Sequence, residues 1–337
     1  MTAPGESPLA ISLGDPSGVG PELIAEAWAR RGEDRLPPFF VMGGAGLLAQ
    51  AAAARGIDLP IRRVATPGEA ADAFASALPV QGDLDGQYLP GQPNRAGAEL
   101  ALASLTEATR LAVSGAASGI VTGPIAKSLL AEVGFNFPGQ TEFVAAACGV
   151  VAEDAVMMLA GPNLRTVPLT VHIALSEVPS ALTSALIERR CRIVAGALQG
   201  DFGIISPRLA IAALNPHASE DGRFGDEEAR IIAPAVAALR AAGIDATGPH
   251  AADALFAPRA RSTYDVALCM YHDQALIPLK ALDFDNGVNI TLGLPIIRTS
   301  PDHGTAFAIA GKRIADAGAT IAAIRMAGEC AARRTGQ

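Results

Sequence analysis

Along the chain, short runs of almost unbroken apolar residues alternate with longer stretches whose apolar positions recur at helical spacing. The short runs are "PLAISLGD", "FFVMGG", "SGIVTGP", "VPLTVHIAL", "RLAIAALNPH" and "YDVALCMYHD", and each reads as a strand that stops at a turn or at polar residues. The longer ones are "GPELIAEAWARRG", "SALTSALIERRCRIVAGAL", "EEARIIAPAVAALRAAG" and "IAAIRMAGECAARR". The first of these carries Pro21 at its first position and Gly32 at its end, the usual punctuation of a helix. Strands that are apolar throughout, interleaved with helices, predict an α/β fold with a largely parallel sheet covered on both faces. No repeat, linker or low-complexity tract marks a domain border.

The chain has 337 residues, half of them hydrophobic, enough for one large core or two moderate ones. Its net charge is -8 and no Lys/Arg cluster stands out, which argues against nucleic acid or an anionic membrane as partner. The longest uncharged stretch, residues 111–126, is broken by glycines and a proline, short of the ~18 apolar residues a membrane span needs. The first fifteen residues lack both a basic and a long apolar segment, so no signal peptide is expected. Cys148, Cys191, Cys269 and Cys330 are isolated, as reduced structural thiols would be. A soluble cytoplasmic protein is expected.

Three of the five histidines lie where an apolar run ends: His172 in "LTVHIAL", His217 in "LNPHASEDG" and His272 in "MYHDQ". Ligands of open α/β sheets collect outside the carboxyl ends of strands, so three such histidines can converge. Three neutral imidazoles with an open position suit a catalytic divalent metal, zinc above all. Asp273 and Asp253 are candidates to orient such ligands. The bland reading, three hydrogen-bonded core histidines, stays open on pattern alone. His250 has no strand context and reads as structural.

Glycine-rich turns come next. "GDPSGVGPE" (14–22) runs from a strand into a helix, and its backbone N–H groups could approach an anion. It lacks the third glycine of a dinucleotide fingerprint, and a tight strand–helix turn explains it as well. "VTGPIAKS" offers Lys127, and "FPGQTEF" offers Gln140, Thr141 and Glu142, with Thr141 equally readable as a helix cap. Late in the chain, Lys280, Asn289 and Arg298 form a point charge, an amide and a fork that would suit a phosphate. A structural network of buried polar groups is the competing account.

With these residues noted, the sequence resembles the 4-hydroxythreonine-4-phosphate dehydrogenase family of pyridoxal phosphate biosynthesis. The resemblance is carried by "GDPSGVGPE", "TGPIAKS", "PGQTEF", "LTVHIAL", "LNPHASEDGRFG", "YHDQALIPLK" and "GVNITLGLPIIRTSPDHGTAF", in that order over nearly the whole chain. It implies an isopropylmalate-dehydrogenase-like fold, two α/β/α domains with an interdomain cleft. The approximate borders are 1–135 plus 285–337 for the first domain, with the nucleotide loop, and 136–284 for the second, with the metal ligands and dimer contacts. It also implies a homodimer whose active sites draw on both subunits.

By the same resemblance His172, His217 and His272 would be the metal ligands, and not all need come from one chain. Gln140, Thr141, Lys280, Asn289 and Arg298 would bind substrate, and Asp253 and Asp273 would maintain the catalytic site. His303, Gly304 and Thr305, in "HGTAFAIAG", look like a nucleotide-binding loop. Two positions depart from the family: Gln140 replaces a histidine, and Ala308 stands where aspartate is usual. Glutamine can donate a hydrogen bond but carries no charge.

The implied reaction is NAD or NADP-linked oxidation of 4-phosphohydroxythreonine at C3, with zinc, or else magnesium or cobalt, lowering the pKa of the alcohol. The β-keto acid product, 2-amino-3-oxo-4-phosphooxybutanoate, would lose carbon dioxide to give 3-amino-2-oxopropyl phosphate. Related dehydrogenases act on a four-carbon sugar-acid phosphate or a dicarboxylated cyclohexadiene diol. A metal-dependent hydrolase would leave "HGTAF" unexplained, and a dead phosphate-binding module would not keep the metal ligands.

Overall fold

The computed structural model describes residues 7–336. The first six residues of the stretch read for a leader therefore lie outside it. The chain forms two compact units: Met1–Ala152 with Leu294–Gln337, and Glu153–Gly293. Both borders fall later in the chain than 135/136 and 284/285. The helix Gln140–Ala147 packs on the helix Arg95–Val113 and so belongs to unit 1.

Five strands open unit 1: β1 (Leu9–Ser12), β2 (Phe39–Met42), β3 (Ile61–Val64), β4 (Leu78–Gln81) and β5 (Ile120–Thr122). Unit 2 contributes β6 (Val156–Ala160), β7 (Arg165–Pro168), β8 (Arg208–Ala212), β9 (Asp245–His250), β10 (Val266–Cys269) and β11 (Val288–Leu292). The chain then returns to unit 1 with β12 (Arg298–Pro301).

Within unit 1 the strands lie in the order β3-β4-β2-β1-β5-β12, every neighbouring pair parallel. "LAIS" and "FFVM" are buried at every position, as strands covered on both faces must be. The helices Arg95–Val113 and Gly318–Thr335 pack on this sheet. The first of them starts at Asn94, whose side-chain oxygen accepts the Gly97 N–H at 2.9 Å. From β1 the chain moves to β2 on one side, while β5 lies on the other. That reversal of strand order is the topological switch point of a parallel sheet, where ligands of such folds collect.

In unit 2 the order is β11-β6-β7-β10-β8-β9. β7, β10, β8 and β9 run parallel, as the apolar runs predict. β6 breaks the expectation by pairing antiparallel with both β7 and β11. The reason is the connection after β6: the Gly161 N–H donates to the Leu164 carbonyl at 2.9 Å, a turn too short for the crossover a parallel pair needs. The pairing with β6 also places β11 in unit 2.

Two strands end earlier than their apolar runs suggest. β7 stops at Pro168, and His172 adopts φ 55, a left-handed conformation no strand accommodates. β8 stops at Ala212, and His217, Ala218, Ser219, Glu220 and Asp221 all have positive φ. Successive left-handed residues without glycine are uncommon, and each costs about 1–2 kcal/mol. β9 was not legible, because Gly248 and Pro249 interrupt its apolar pattern. His250 ends that strand with its Nε2 2.8 Å from Thr247 Oγ1, a structural role in keeping with its reading.

Candidate active site

β7, β10 and β8 are parallel neighbours, so the segments carrying His172, His272 and His217 leave the sheet from the same edge. Two of the three histidines meet there. The rings of His172 and His272 lie 5.9 Å apart, centre to centre. Both line a cavity of about 270 Å³, shared with Thr170, Leu175, Tyr271 and Asp273. His272 opens the helix His272–Asp283, and its Nδ1 is 2.7 Å from Asp273 Oδ1. With Nδ1–H donating to the carboxylate, the ring is fixed and the Nε2 lone pair is left outward, the arrangement metal-ligating histidines use.

His217 goes elsewhere. Its ring packs 6.3 Å from that of Phe224, where the left-handed turn carries it. Among the described residues no group of three or more His, Cys, Asp or Glu stands together as a metal-ligand set. The expected convergence of three histidines thus reduces, within one chain, to a pair. That pair fits a divalent cation by donor chemistry: imidazole nitrogens, one oriented by a carboxylate. Asp253 is exposed in the short helix Ala252–Leu255.

Lys280 and Asn289 also belong to unit 2. Lys280 is half-buried on the helix His272–Asp283, its Nζ 5.9 Å over the Phe284 ring. Asn289 lies on β11 with its Oδ1 buried and lacking a hydrogen-bond partner, an opening for a donor.

Arg298, Gln140 and Thr141 come together in unit 1, next to the switch point. Arg298 is 4% exposed. Its Nη2 donates to Thr122 Oγ1 at 2.9 Å and its Nη1 to Thr141 Oγ1 at 3.3 Å. Burial pushes this guanidinium down to about 10, and the Glu142 carboxylate opposes that shift. A buried cation flanked by hydroxyls suits a phosphate or carboxylate. Thr141 does not cap the helix Gln140–Ala147: Gly139 holds the capping position, and Thr141 faces Arg298. Gln140 Nε2 donates to the Gly123 carbonyl at 3.0 Å, which fixes the amide and turns Oε1 away as a buried acceptor with no partner. A side chain at Gly123 would meet Gly14 N and Ser12 O at 2.8 Å, so only glycine lets the turns after β1 and β5 approach.

The third cluster is the loop at His303. His303 Nδ1 is 2.9 Å from the Gly304 carbonyl, and its buried Nε2 has no partner. A Cβ at Gly304 would meet nothing within 4 Å, so backbone is open there. The Val19 N–H donates to the Thr305 carbonyl at 2.9 Å, joining this loop to "GDPSGVGPE". An orphaned imidazole nitrogen beside open backbone fits the phosphates and amide of a nicotinamide nucleotide.

Two residues at the switch point escaped the sequence reading. Thr122 ends the apolar run "GIVT" and gave no sign of facing an arginine. Asp15 is 2% exposed, its Oδ1 accepting the Ser17 N–H at 2.9 Å and its Oδ2 buried without a partner. Burial raises its carboxyl above the ordinary range, against the lowering bond from Ser17. A carboxyl raised in the fold gives stability that is full below its unfolded pKa and lost as pH rises through the folded one. Asp15→Asn keeps the acceptor for Ser17 and is expected to raise the melting temperature at pH 7 by about 2–4 °C. A melting temperature that falls instead would mean the ionised form is the stabilising one.

Parallel sheets with polar clusters at their carboxyl edges are the framework of α/β enzymes acting on small molecules, and the chain falls in that class. The profile of the family described as "Pyridoxal phosphate biosynthetic protein PdxA" matches residues 35–327. The chain belongs to that family. A 4-hydroxythreonine-4-phosphate dehydrogenase of Erythrobacter litoralis (strain HTCC2594) is 63% identical over 329 residues, 98% of each chain. The crystal structure of a 4-hydroxythreonine-4-phosphate dehydrogenase from Klebsiella pneumoniae is similar with a TM-score of 0.84 and 37% identity, covering 97% of this chain and 98% of that one. A terephthalate 1,2-cis-dihydrodiol dehydrogenase from Burkholderia xenovorans LB400 is similar at a TM-score of 0.64 and 30% identity, covering 96% of this chain and 98% of that one.

Proposed function

We propose that the chain is a metal-dependent, NAD or NADP-linked 4-hydroxythreonine-4-phosphate dehydrogenase. It oxidises 4-phosphohydroxythreonine at C3 to 2-amino-3-oxo-4-phosphooxybutanoate, which decarboxylates to 3-amino-2-oxopropyl phosphate. The observation that carries this reading is the His172–His272 pair with Asp273 at the carboxyl edge of parallel strands. Bound by these imidazoles, a divalent cation supplies Lewis-acid stabilisation of charge developing on the carbinol oxygen, and the nicotinamide supplies the hydride acceptor.

The chain's own residues do the rest. Arg298, with Thr141, takes the phosphate and fixes the carbinol's position, an orientation effect. Lys280 and Asn289 serve the same substrate, Asn289 through its unpartnered carbonyl. Asp273 holds the His272 ring in its tautomer. His303, Gly304 and Thr305 receive the nucleotide, and Asp253 maintains the site.

The third imidazole is His217 of a second copy, in a homodimer formed through unit 2. Its separation from the other two supports this, as do Leu175, Ile277 and Phe284, 67%, 66% and 72% exposed on that unit. Among the described residues no helix is long and apolar enough to cross a membrane. The reading places the enzyme in the cytoplasm.

Gln140 favours a second reading, oxidation of a four-carbon sugar-acid phosphate or a diol, since it departs from the family's histidine at a substrate position. Reduced-nicotinamide absorbance decides between them. Protein is mixed with NAD+ or NADP+ and with 4-phosphohydroxythreonine, 4-phosphothreonate or the terephthalate diol, before and after chelation. The first reading expects chelator-sensitive reduction with the phosphorylated amino acid at least about tenfold faster than with either rival. Reduction with a rival alone would move the substrate, and none with any of the three would sink the dehydrogenase.

A further inference from the structure

Residues 302–317 form neither helix nor strand, yet this segment bears the loop to which the nucleotide is assigned. Between Asp302 and Asp316 it has no carboxylate; its polar side chains are His303, Thr305, Lys312 and Arg313, and Arg313 is turned to the Ala54 carbonyl. Much of what it offers a nucleotide is backbone, so its affinity depends in part on how that backbone is held. The ties come from two helices of the same unit, Gly20–Ala29 and Ala45–Arg55.

At the centre of these ties is a charge that the reaction does not use. Glu22 is 1% exposed. Its Oε1 accepts the Gly311 N–H at 3.3 Å, and its Oε2 lies 3.3 Å from Arg55 Nη1. Arg55 also pairs with Glu26 and donates from Nη2 to the Ala315 carbonyl at 2.6 Å. One buried ion pair thus grips the segment at two backbone atoms four residues apart. Arg313 adds an outer tie, its Nε donating to the Ala54 carbonyl. Gly311 can follow this path because it is glycine: its φ is 74, and a Cβ there would meet Pro90 Cγ at 2.8 Å. Beside it, burial and the Glu22 carboxylate push the Tyr88 phenol up to about 12, so that hydroxyl stays protonated.

A buried pair held for stability alone is often replaceable by apolar residues at no loss. Here each partner carries a backbone hydrogen bond to the same segment, which apolar residues could not supply. We propose that Glu22 and Arg55 are positioning residues for the cofactor loop, setting the affinity for nicotinamide nucleotide through the backbone at Gly311 and Ala315 without touching the nucleotide. This rests on the reading that His303, Gly304 and Thr305 receive the nucleotide.

The test is a titration of NADH and NADPH, followed by their own fluorescence, on the full chain and three variants. Glu22→Gln removes the charge and keeps the shape. Arg313→Ala cuts the outer tie at an exposed residue, so it reports even where Glu22→Gln fails to fold. Gly304→Val adds bulk to open backbone and tests the nucleotide reading itself. Glu22→Gln is expected to weaken nucleotide binding about tenfold, the loss of one charge-assisted hydrogen bond. The nucleotide KM rises with it, while kcat at saturation and substrate KM hold within about twofold. Arg313→Ala weakens binding in the same direction, and less.

Weak binding by Gly304→Val with native affinity in Glu22→Gln, or in Arg313→Ala where that variant alone folds, would overturn the positioning role and leave the loop's assignment standing. Native affinity in Gly304→Val would sink the assignment, and the positioning role with it. Equal losses of nucleotide and substrate affinity in Glu22→Gln would make the pair a general structural element.

Discussion

Arg298→Met is expected to lower kcat/KM for a phosphorylated substrate about 10³-fold, and inorganic phosphate is expected to raise the melting temperature of the native protein but not of this variant. The size follows from burial. Truncating one partner of a buried, hydrogen-bonded charge pair typically costs about 2–5 kcal/mol, and 4 kcal/mol is about a thousandfold. Burial lowers the guanidinium from its ordinary range to about 10. The sign of the linkage matters here. A base lowered in the fold is a charge the fold disfavours, so its cost, roughly 3 kcal/mol, is present at all pH below the folded value. It is relieved only as pH rises from about 10 towards the unfolded value. At neutral pH the protein therefore carries this cost in full, and a bound dianion offsets it. Phosphate protection at pH 7 that persists in Arg298→Met would place the anion elsewhere. Because methionine replaces a buried charge with an apolar chain of similar length, the variant should melt no lower than the native protein.

The second large effect belongs to the imidazoles. His172→Ala or His272→Ala is expected to lower kcat about 10³-fold or more, because a Lewis acid contributes several kcal/mol to the transition state. Bound metal, measured by elemental analysis, falls in parallel. Asp273→Asn, which leaves the ligands in place, loosens metal binding about 10–100-fold. A variant that keeps full metal content and loses activity would remove these residues from the ligand set.

His217→Ala permits a sharper experiment. Where His172 and His272 come from one chain and His217 from another, a dimer of one His217→Ala chain and one His272→Ala chain contains one complete set and one doubly broken set. Mixed at equal ratio, two inactive proteins then recover about one quarter of native activity, since half of the dimers are mixed and each has one working site. If each set came from a single chain, mixing would restore nothing.

Much of the framework could be read from the chain, and the exceptions have physical causes. "LAIS", "FFVM" and "VALC" became strands because each is apolar but for Ser12 and buried at every position, as a strand covered on both faces must be. "IRRV" is half exposed, and β9 contains glycine and proline, so neither showed that pattern. The antiparallel β6 escaped because parallel and antiparallel buried strands look alike, and only the Gly161–Leu164 turn separates them. Among the site residues, the contact between Arg298 and Thr141 could not be foreseen, since 157 residues separate them in sequence. The separation of His217 from His272 was not legible, since left-handed backbone at five successive non-glycine residues has no sequence signature. Nor could Asp15 be told from the turn aspartates that glycine-rich loops commonly carry.

The return of β12 to unit 1 has a consequence for synthesis on the ribosome. β12 pairs with β5 and begins with Arg298, while the last helix, Gly318–Thr335, packs on the same sheet. Unit 1 is thus left without one strand and one covering helix until the final residues emerge. Unit 2 is continuous in sequence and complete earlier. At elongation rates of about 5–20 residues per second, the intervening residues take roughly 10–30 s to make. Through that interval an apolar edge at β5 stays bare in the nascent chain, a natural substrate for chaperones. The surroundings of Arg298 are completed only late in synthesis, so a chain truncated before Arg298 contains all of unit 2 with its histidines and lacks the buried guanidinium of unit 1.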